Sequence, residues 1–331
     1  MAQAPAQLAV PAATAAATGP LVPARAERSL WTDAWRQLVA NKLALVGLVI
    51  VVGFFLAALF GPALAPYDFL AKSSTSTLAP PSREHLLGTD ALGRDIFSRM
   101  LFGARSAAFV ALTTTSISLV IGVAIGAAAA FLGPRVDGWL MWLTDVTMSI
   151  PSILLAMLIN TALKYRFSNW FDEMYQQTRN KFFLNTWWLD FVLVFGAIAL
   201  ISWPMYARLI RAQAKAVSAA LYVEAARASG ASTGRIMSHH LVPNSLGPVI
   251  VAVTQGMGAA VLLESSLSFL GIGIQPPNAS WGSMLRDSLD LWRSFPHLMV
   301  VPAVTIAVIQ LAFIFFGDGL NDALNPRQRR V

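Results

Sequence analysis

The chain has 331 residues, 56% of them hydrophobic and 12% charged, with net charge +7 and mean hydropathy +0.59. A soluble domain carries about 25% charged residues, so this much apolar surface needs a bilayer as part of its solvent. Cysteine is absent, which excludes disulfides, thiol catalysis and thiolate metal sites. The basic residues are scattered and form no single stripe, which argues against nucleic acid.

Residues 1–28 begin with an Ala/Pro-rich run that has no charge before Arg25. A secretory signal needs a basic stretch ahead of its apolar run, so this segment is expected to be a disordered tail. Residues 29–42, "SLWTDAWRQLVANK", place Trp31, Trp35 and Leu38 on one helical face. They predict an amphipathic helix lying in the membrane interface. From residue 43 to 331 the chain reads as one six-span domain. The apolar runs lie near 43–65, 106–132, 139–162, 190–211, 247–271 and 298–318, each long enough for a span of about 20 residues. The fold class expected is an all-α membrane protein.

Basic residues close to span ends set orientation. Arg25 to Lys42, then Arg208, Arg211 and Lys215, then Arg327, Arg329 and Arg330 predict cytoplasmic N- and C-termini. The segments 66–105, 163–190 and 272–297 then fall outside, and 212–246 inside. In the first outer segment, "HLLGTDALGRDIFSRMLFGARSA", Asp90 is expected to cap a helix. Leu92, Ile96 and Met100 would share one face of it, with Arg94, Asp95 and Arg99 pointing away. The second outer segment is aromatic and charged, and its Trp187 and Trp188 look like interfacial anchors. Pro151 and Pro204 are expected to kink their spans. Gly122, Gly126, Gly256 and Gly258 should allow close helix packing.

Most enzyme signals fail. "GASTG" (Gly230 to Gly234) matches G-x-S-x-G but lacks the apolar strand that a nucleophile elbow needs. His239 and His240 are adjacent, so they point to different helix faces with no further ligand at metal spacing. His85 and His297 are isolated, and no "GK[ST]" occurs, so there is no P-loop. No catalytic or metal site is expected. Ionisable groups inside spans are costly and so attract a functional reading. Asp145 and Glu264, the latter followed by Ser265, are the candidates. Each either lines a substrate path or serves structure and assembly.

"EAARASGASTGRIMSHHLVPN" (Glu224 to Asn244) is a polar, helical interruption between two spans. Glu224 and Arg227 are spaced to pair. Gly230 permits the left-handed conformation that stops a helix, Ser232 or Thr233 can cap a second one, and Pro243 stops that one. A projecting helix–turn–helix results, exposing small residues with Ile236, Met237 and Leu241. It reads as a docking element for a cytosolic partner, or as a linker.

The same stretch resembles the EAA loop of permease subunits in bacterial ABC importers. Glu224, Ala225, Ala226, Gly230 and Pro243 fit the pattern, with His240 and Val242 departing mildly. "NKLALVGLVIVV", "LLGTDALGRDIFSRMLFGARSA" and "ESSLSFLGIGIQPPNASWGSML" resemble the C-type permease of dipeptide/oligopeptide importers, a family that also includes nickel and other small-solute importers. The resemblance implies the type I importer permease fold and a heterodimer with a second permease. It also implies two ATPase subunits that hold the ATP and magnesium, an extracytoplasmic solute-binding protein, and peptide as substrate. It makes Glu224, Ala225, Ala226, Arg227, Gly230, Ile236, His240 and Pro243 the ATPase-coupling residues. Gly88, Asp90, Gly93, Arg94 and Asp95 become an outer-segment motif. A gradient-driven transporter would predict inverted repeats and charges at mid-membrane. An intramembrane hydrolase would need Ser and His within spans. Neither pattern is visible.

Overall fold

The computed structural model describes residues 30–73, 76–184, 187–236, 238–239, 242–276 and 278–324. The 1–28 tail and the basic residues after 324 lie outside them, as does His240. Eleven α-helices make up the described fold, with no strand among them: α1 Leu30–Ala40, α2 Lys42–Leu64, α3 Ile96–Phe131, α4 Pro134–Ser149, α5 Ser152–Thr178, α6 Trp187–Ser218, α7 Leu221–Ala228, α8 Thr233–Ile236, α9 Val242–Phe269, α10 Trp281–Asp287 and α11 His297–Leu324. A 3-10 turn covers Lys181–Leu184.

Five helices are long and apolar enough to cross a membrane: α2, α3, α6, α9 and α11. The expected third span is a broken pair, α4 and α5, bent by 92°. Proline explains the break. Ile150, the residue before Pro151, is extended at φ −92° and ψ 130°, as the proline ring demands of its predecessor. Pro204, by contrast, lies inside α6 without ending it.

Two boundaries differ from the sequence reading. The second span begins at Ile96, well before residue 106. Its N-cap is Asp95, whose side chain accepts from Ser98 N, so no helix starts at Asp90. α5 runs on to Thr178 through the polar stretch expected to be an outer insertion. Nothing between Ser152 and Thr178 breaks a helix, since the stretch holds no Gly or Pro.

The bundle has two ends. At one, the start of α2 meets the end of α11, and α1 packs there through Ala34 and Leu38 with Ala44 and Ala323. Leu38 is buried while Trp35 is exposed, so the two do not share the buried face of α1. The side chain of Trp31 lies outside the described set, as do those of Trp187 and Trp188. α7 and α8 sit at this same end, against the last turns of α3 and α6. At the other end, α10 and the 65–95 segment close over the start of α3 and of α11, around Phe54, Ile96, Met100, Trp281 and Leu298.

α3 and α6 run parallel and nearly touch. A Cβ at Gly126 would lie 2.5 Å from the Ala207 carbonyl oxygen, and one at Gly122 would lie 2.9 Å from the Ala207 nitrogen. Backbone atoms cannot move aside as a side chain can. Gly126→Val should therefore destabilise the protein by about 1–3 kcal/mol through overpacking. Gly53→Val is the control, because a Cβ there meets nothing within 4 Å. Thermal unfolding in detergent should show a lower midpoint for the first and little change for the second.

Candidate functional site

The projecting element is built as a helix, a stop and a short helix. α7 ends in a Schellman motif: Gly230 N–H donates to Arg227 O at 2.9 Å, and Ala231 N–H to Ala226 O at 3.0 Å. Gly230 carries φ +82°, a value that glycine adopts freely. Ser232 Oγ then accepts from Arg235 N at 3.4 Å and its carbonyl from Ile236 N at 3.0 Å, which starts α8. A small core holds the pair to the bundle: Val223 and Ile236 with Ala214 and Val217.

This core corrects one expectation. Ile236 is 2% exposed, so it anchors the element and does not form its outer surface. Glu224, Ala225 and Arg227 face outward. No ion pair among the described residues joins Glu224 to Arg227. Pro243 is the second residue of α9, so it begins a helix as well as following one. Met237 and Leu241 lie outside the described residues.

Two carboxylates of α4 fasten it to α6 nearby. Asp137 accepts from Arg211 Nη2 at 2.7 Å and Lys215 Nζ at 2.6 Å. Asp145 pairs with Arg208, and both are substantially exposed. Of the two in-span carboxylates, Asp145 therefore lies on the surface of the chain with a cation beside it.

Glu264 is different. It is 1% exposed and its described partners are hydroxyls. Ser268 Oγ donates to Oε1 at 2.6 Å and Ser280 Oγ to the same oxygen at 2.8 Å. Ser265 Oγ donates to Oε2 at 3.4 Å. Each of the nearer hydroxyls also accepts a backbone N–H, Ile274 at 2.9 Å onto Ser268 and Gly282 at 3.2 Å onto Ser280. The carboxylate thus organises a relay that binds the 271–280 loop and α10 to the end of α9. Trp281 extends the tie to α3 by donating Nε1–H to Met100 O at 3.1 Å.

The outer motif folds as a tight knot over the start of α3. Asp95 Oδ2 accepts from Ser98 N at 2.7 Å and Ser98 Oγ at 2.8 Å, and Oδ1 lies 2.9 Å from His85 Nδ1. Asp90 Oδ1 accepts from Leu92 N and Arg94 N, each at 2.9 Å, and Oδ2 from Arg94 Nε at 2.6 Å. Gly88 and Gly93 have φ +80° and +72°, and a Cβ on Gly93 would run into the Ser73 backbone. Arg94, Asp95 and Arg99 are buried, not outward. Sequence reasoning missed Arg99 as a site residue because it treated charge as solvent-facing. It also missed a cavity of about 120 Å³ among α3, α6 and α9, lined by Thr114, Thr115, Ser118, Ser202 and Tyr206. The hydroxyl run Thr113 to Ser118 within an apolar span was its signal.

Residues 118–330 match the family of binding-protein-dependent transport system inner membrane components. The chain belongs to this family. Residues 29–81 match the N-terminal TM domain of oligopeptide transport permease C. The dipeptide transport system permease protein DppC of Alkalihalophilus pseudofirmus is 36% identical over 301 residues, 91% of each chain. The oligopeptide transport system permease protein OppC of Bacillus subtilis is 34% identical over 302 residues, again 91% of each. The Bacillus subtilis dipeptide permease DppC is 37% identical over 92% of this chain and 88% of its own. Family and helices together make the protein a multi-pass inner-membrane component with the type I permease fold.

The Glu264 relay has a local consequence. Glu264→Ala removes the oxygen to which Ser268 and Ser280 both donate and leaves these buried hydroxyls without that acceptor, a loss of about 1–3 kcal/mol for each buried group. Amide hydrogen exchange should accelerate at Ile274 and Gly282, while amides of α7 remain as protected as before.

Proposed function

We propose that this chain is the C-type permease subunit of an ATP-driven importer that carries di- or oligopeptides delivered by an extracytoplasmic binding protein. The reading draws on family membership and on the peptide-transport names of relatives that align over nine-tenths of the chain. A second permease would complete the pore as a heterodimer. Two ATPase subunits would hold the ATP and magnesium, and this subunit itself would carry no catalytic centre.

The observation that carries the coupling assignment is the α7–turn–α8 element. It is a short helical pair pinned to the end of α6 by a four-residue core, and it turns Glu224, Ala225 and Arg227 outward. A projection held in place in that way suits docking to a groove on a partner better than a linker's role, because a linker has no reason to be pinned to the bundle by buried side chains. Closure of the ATPases would push on α7. The push would pass to the ends of α3 and α6, against which α7 and α8 rest, and change the access of the path. Ala226, Gly230, Ile236, His240 and Pro243 belong to the same element as supports of its shape. The segment from 163 to 190 would meet the binding protein on the outer face, and α1 would lie in the interface.

Gly230→Pro removes the only conformation that fits this turn, since proline is fixed near φ −65°. Glu224→Arg inverts the charge presented by α7. Either change should leave the protein inserted and the ATPases active while peptide uptake falls at least about tenfold, a loss of about 1.4 kcal/mol of coupling. Uptake of labelled dipeptide beside ATP hydrolysis in proteoliposomes measures this, and undiminished uptake would sink the assignment.

Orientation has its own test, helped by the absence of native cysteine. With both termini cytoplasmic, a single cysteine at Arg83 should react with a membrane-impermeant maleimide in spheroplasts. One at Ser229 should react only after the membrane is opened. The reverse pattern would invert the topology.

A further inference from the structure

At the α10 end, a cavity of about 670 Å³ opens between the first turn of α3, α10 and the 70–94 segment. Its volume falls in the range of small-molecule sites, about 300–1,000 Å³. Ile96, Met284 and Leu298 give it an apolar floor. Lys72, Arg94 and Arg99 line it together with Asp90 and Asp287, so cations outnumber carboxylates.

The carboxylates do not use up the cations. Asp90 is occupied by two backbone N–H groups and Arg94 Nε, and Arg99 Nη1 stands 3.4 Å from its Oδ2. Asp287 is 3.6 Å from Arg94 Nη2 and 3.6 Å from Arg286 Nη2, beyond hydrogen-bond range to both. Arg99 is 4% exposed, yet its Nε has no hydrogen-bond partner. A buried donor left unpaired costs about 1–3 kcal/mol, more when charged, and native structures rarely leave one so. Lys72 stands exposed at the rim and joins none of the ion pairs among the described residues. Guanidinium forks facing a cavity are suited to a planar carboxylate, which they can hold through two parallel bonds.

We propose that this cavity binds the carboxylate of a small amphiphilic ligand, the C-terminal carboxylate of a short peptide whose last side chain is apolar. The carboxylate meets the arginine wall and Lys72, and the apolar side chain rests on Ile96, Met284 and Leu298. The carboxylate chemistry follows from the cavity itself, whereas the choice of a peptide as its source rests on the import reading above. The site would give this subunit a contact with the free end of the cargo at the end of the bundle opposite α7.

The test uses the assembled transporter in nanodiscs without its binding protein, titrated calorimetrically with alanyl-leucine and with alanyl-leucine amide. The acid should bind, more weakly at high salt than at low, and the amide should bind at least about tenfold more weakly, as loss of a charged hydrogen-bonded partner requires. Lys72→Ala should weaken the acid several-fold, and Ala91→Trp, at the exposed mouth, should abolish binding. Neither change touches the Asp90–Arg99 contact, and unchanged melting temperatures would show that both variants fold. Equal binding of acid and amide, no binding of either, or unaltered affinity in both variants would overturn the proposal. Uptake of labelled alanyl-leucine by the complete system separates the two readings. Normal uptake with indifferent binding defeats only the cavity assignment, whereas absent uptake in the wild type defeats the import reading.

Discussion

Everything in this fold depends on how closely α3 can be approached. In a bilayer the lipid is as apolar as the side chains, so helices gain little by hiding from water and associate through close contact instead. α3 meets that demand by having no side chain where neighbours arrive. Gly122 and Gly126 admit the backbone of α6, and Gly103 lies under the ring of Trp281. α2 approaches at the same end, where a Cβ on its Gly61 would lie 3.1 Å from Leu101 Cβ. With 36 residues, α3 is about 54 Å long and reaches from the α10 end to the core beneath α7. Both candidate functional regions are therefore mounted on one helix.

The two ends treat polar groups differently. At the α10 end, carboxylates serve as fixed anchors: buried Asp95 caps α3, half-buried Asp90 ties down its own loop, and buried Glu264 gathers two hydroxyls that each hold a backbone N–H. Hydrogen bonds of this kind at Asp95 and Glu264 hold their loops rigidly. At the α7 end, the ionic contacts are partly exposed and solvent-screened, so each contributes little to stability. The projecting helices depend there on a core of four small or medium apolar residues. A stiff α10 end and a lightly held α7 end are what the proposed coupling would need, since motion must enter at α7 without loosening the far side.

The sequence was legible where a single local signal decided the outcome. Hydropathy located the spans, and Gly230 announced its turn. It was not legible where several residues could play one part. Asp90 and Asp95 are equally good helix caps on paper, and the winner is set by the loop, in which Gly93 lets the chain pass against Ser73. Arg94 and Arg99 look outward-facing until the loop folds Asp90 onto both and α10 brings Asp287 towards Arg94. Ile236 looks exposed because a one-turn helix has no periodicity to read. The length of α5 could have been read. The charged residues after Asn160 suggested a loop, but charge does not stop a helix, and no Gly or Pro intervenes.

The break at Pro151 bears on how many times the chain crosses. α3 and α6 are parallel: Phe109 lies against Phe195, Ser118 Oγ reaches Ala199 O, and Gly126 faces Ala207. Parallel neighbours need a return across the bundle between them. The only chain available for that return is α4 with α5, so the bent pair has to carry it despite the 92° angle. The count then becomes even, and an even count brings α1 and the end of α11 to one side. Independent contacts agree, because Leu38 and Ala44 pack with Ala323. Charge near the span ends had given the same pairing of termini by a different route. The packing adds that the pairing holds whatever the orientation in the membrane, so that only the choice between the two faces rests on charge.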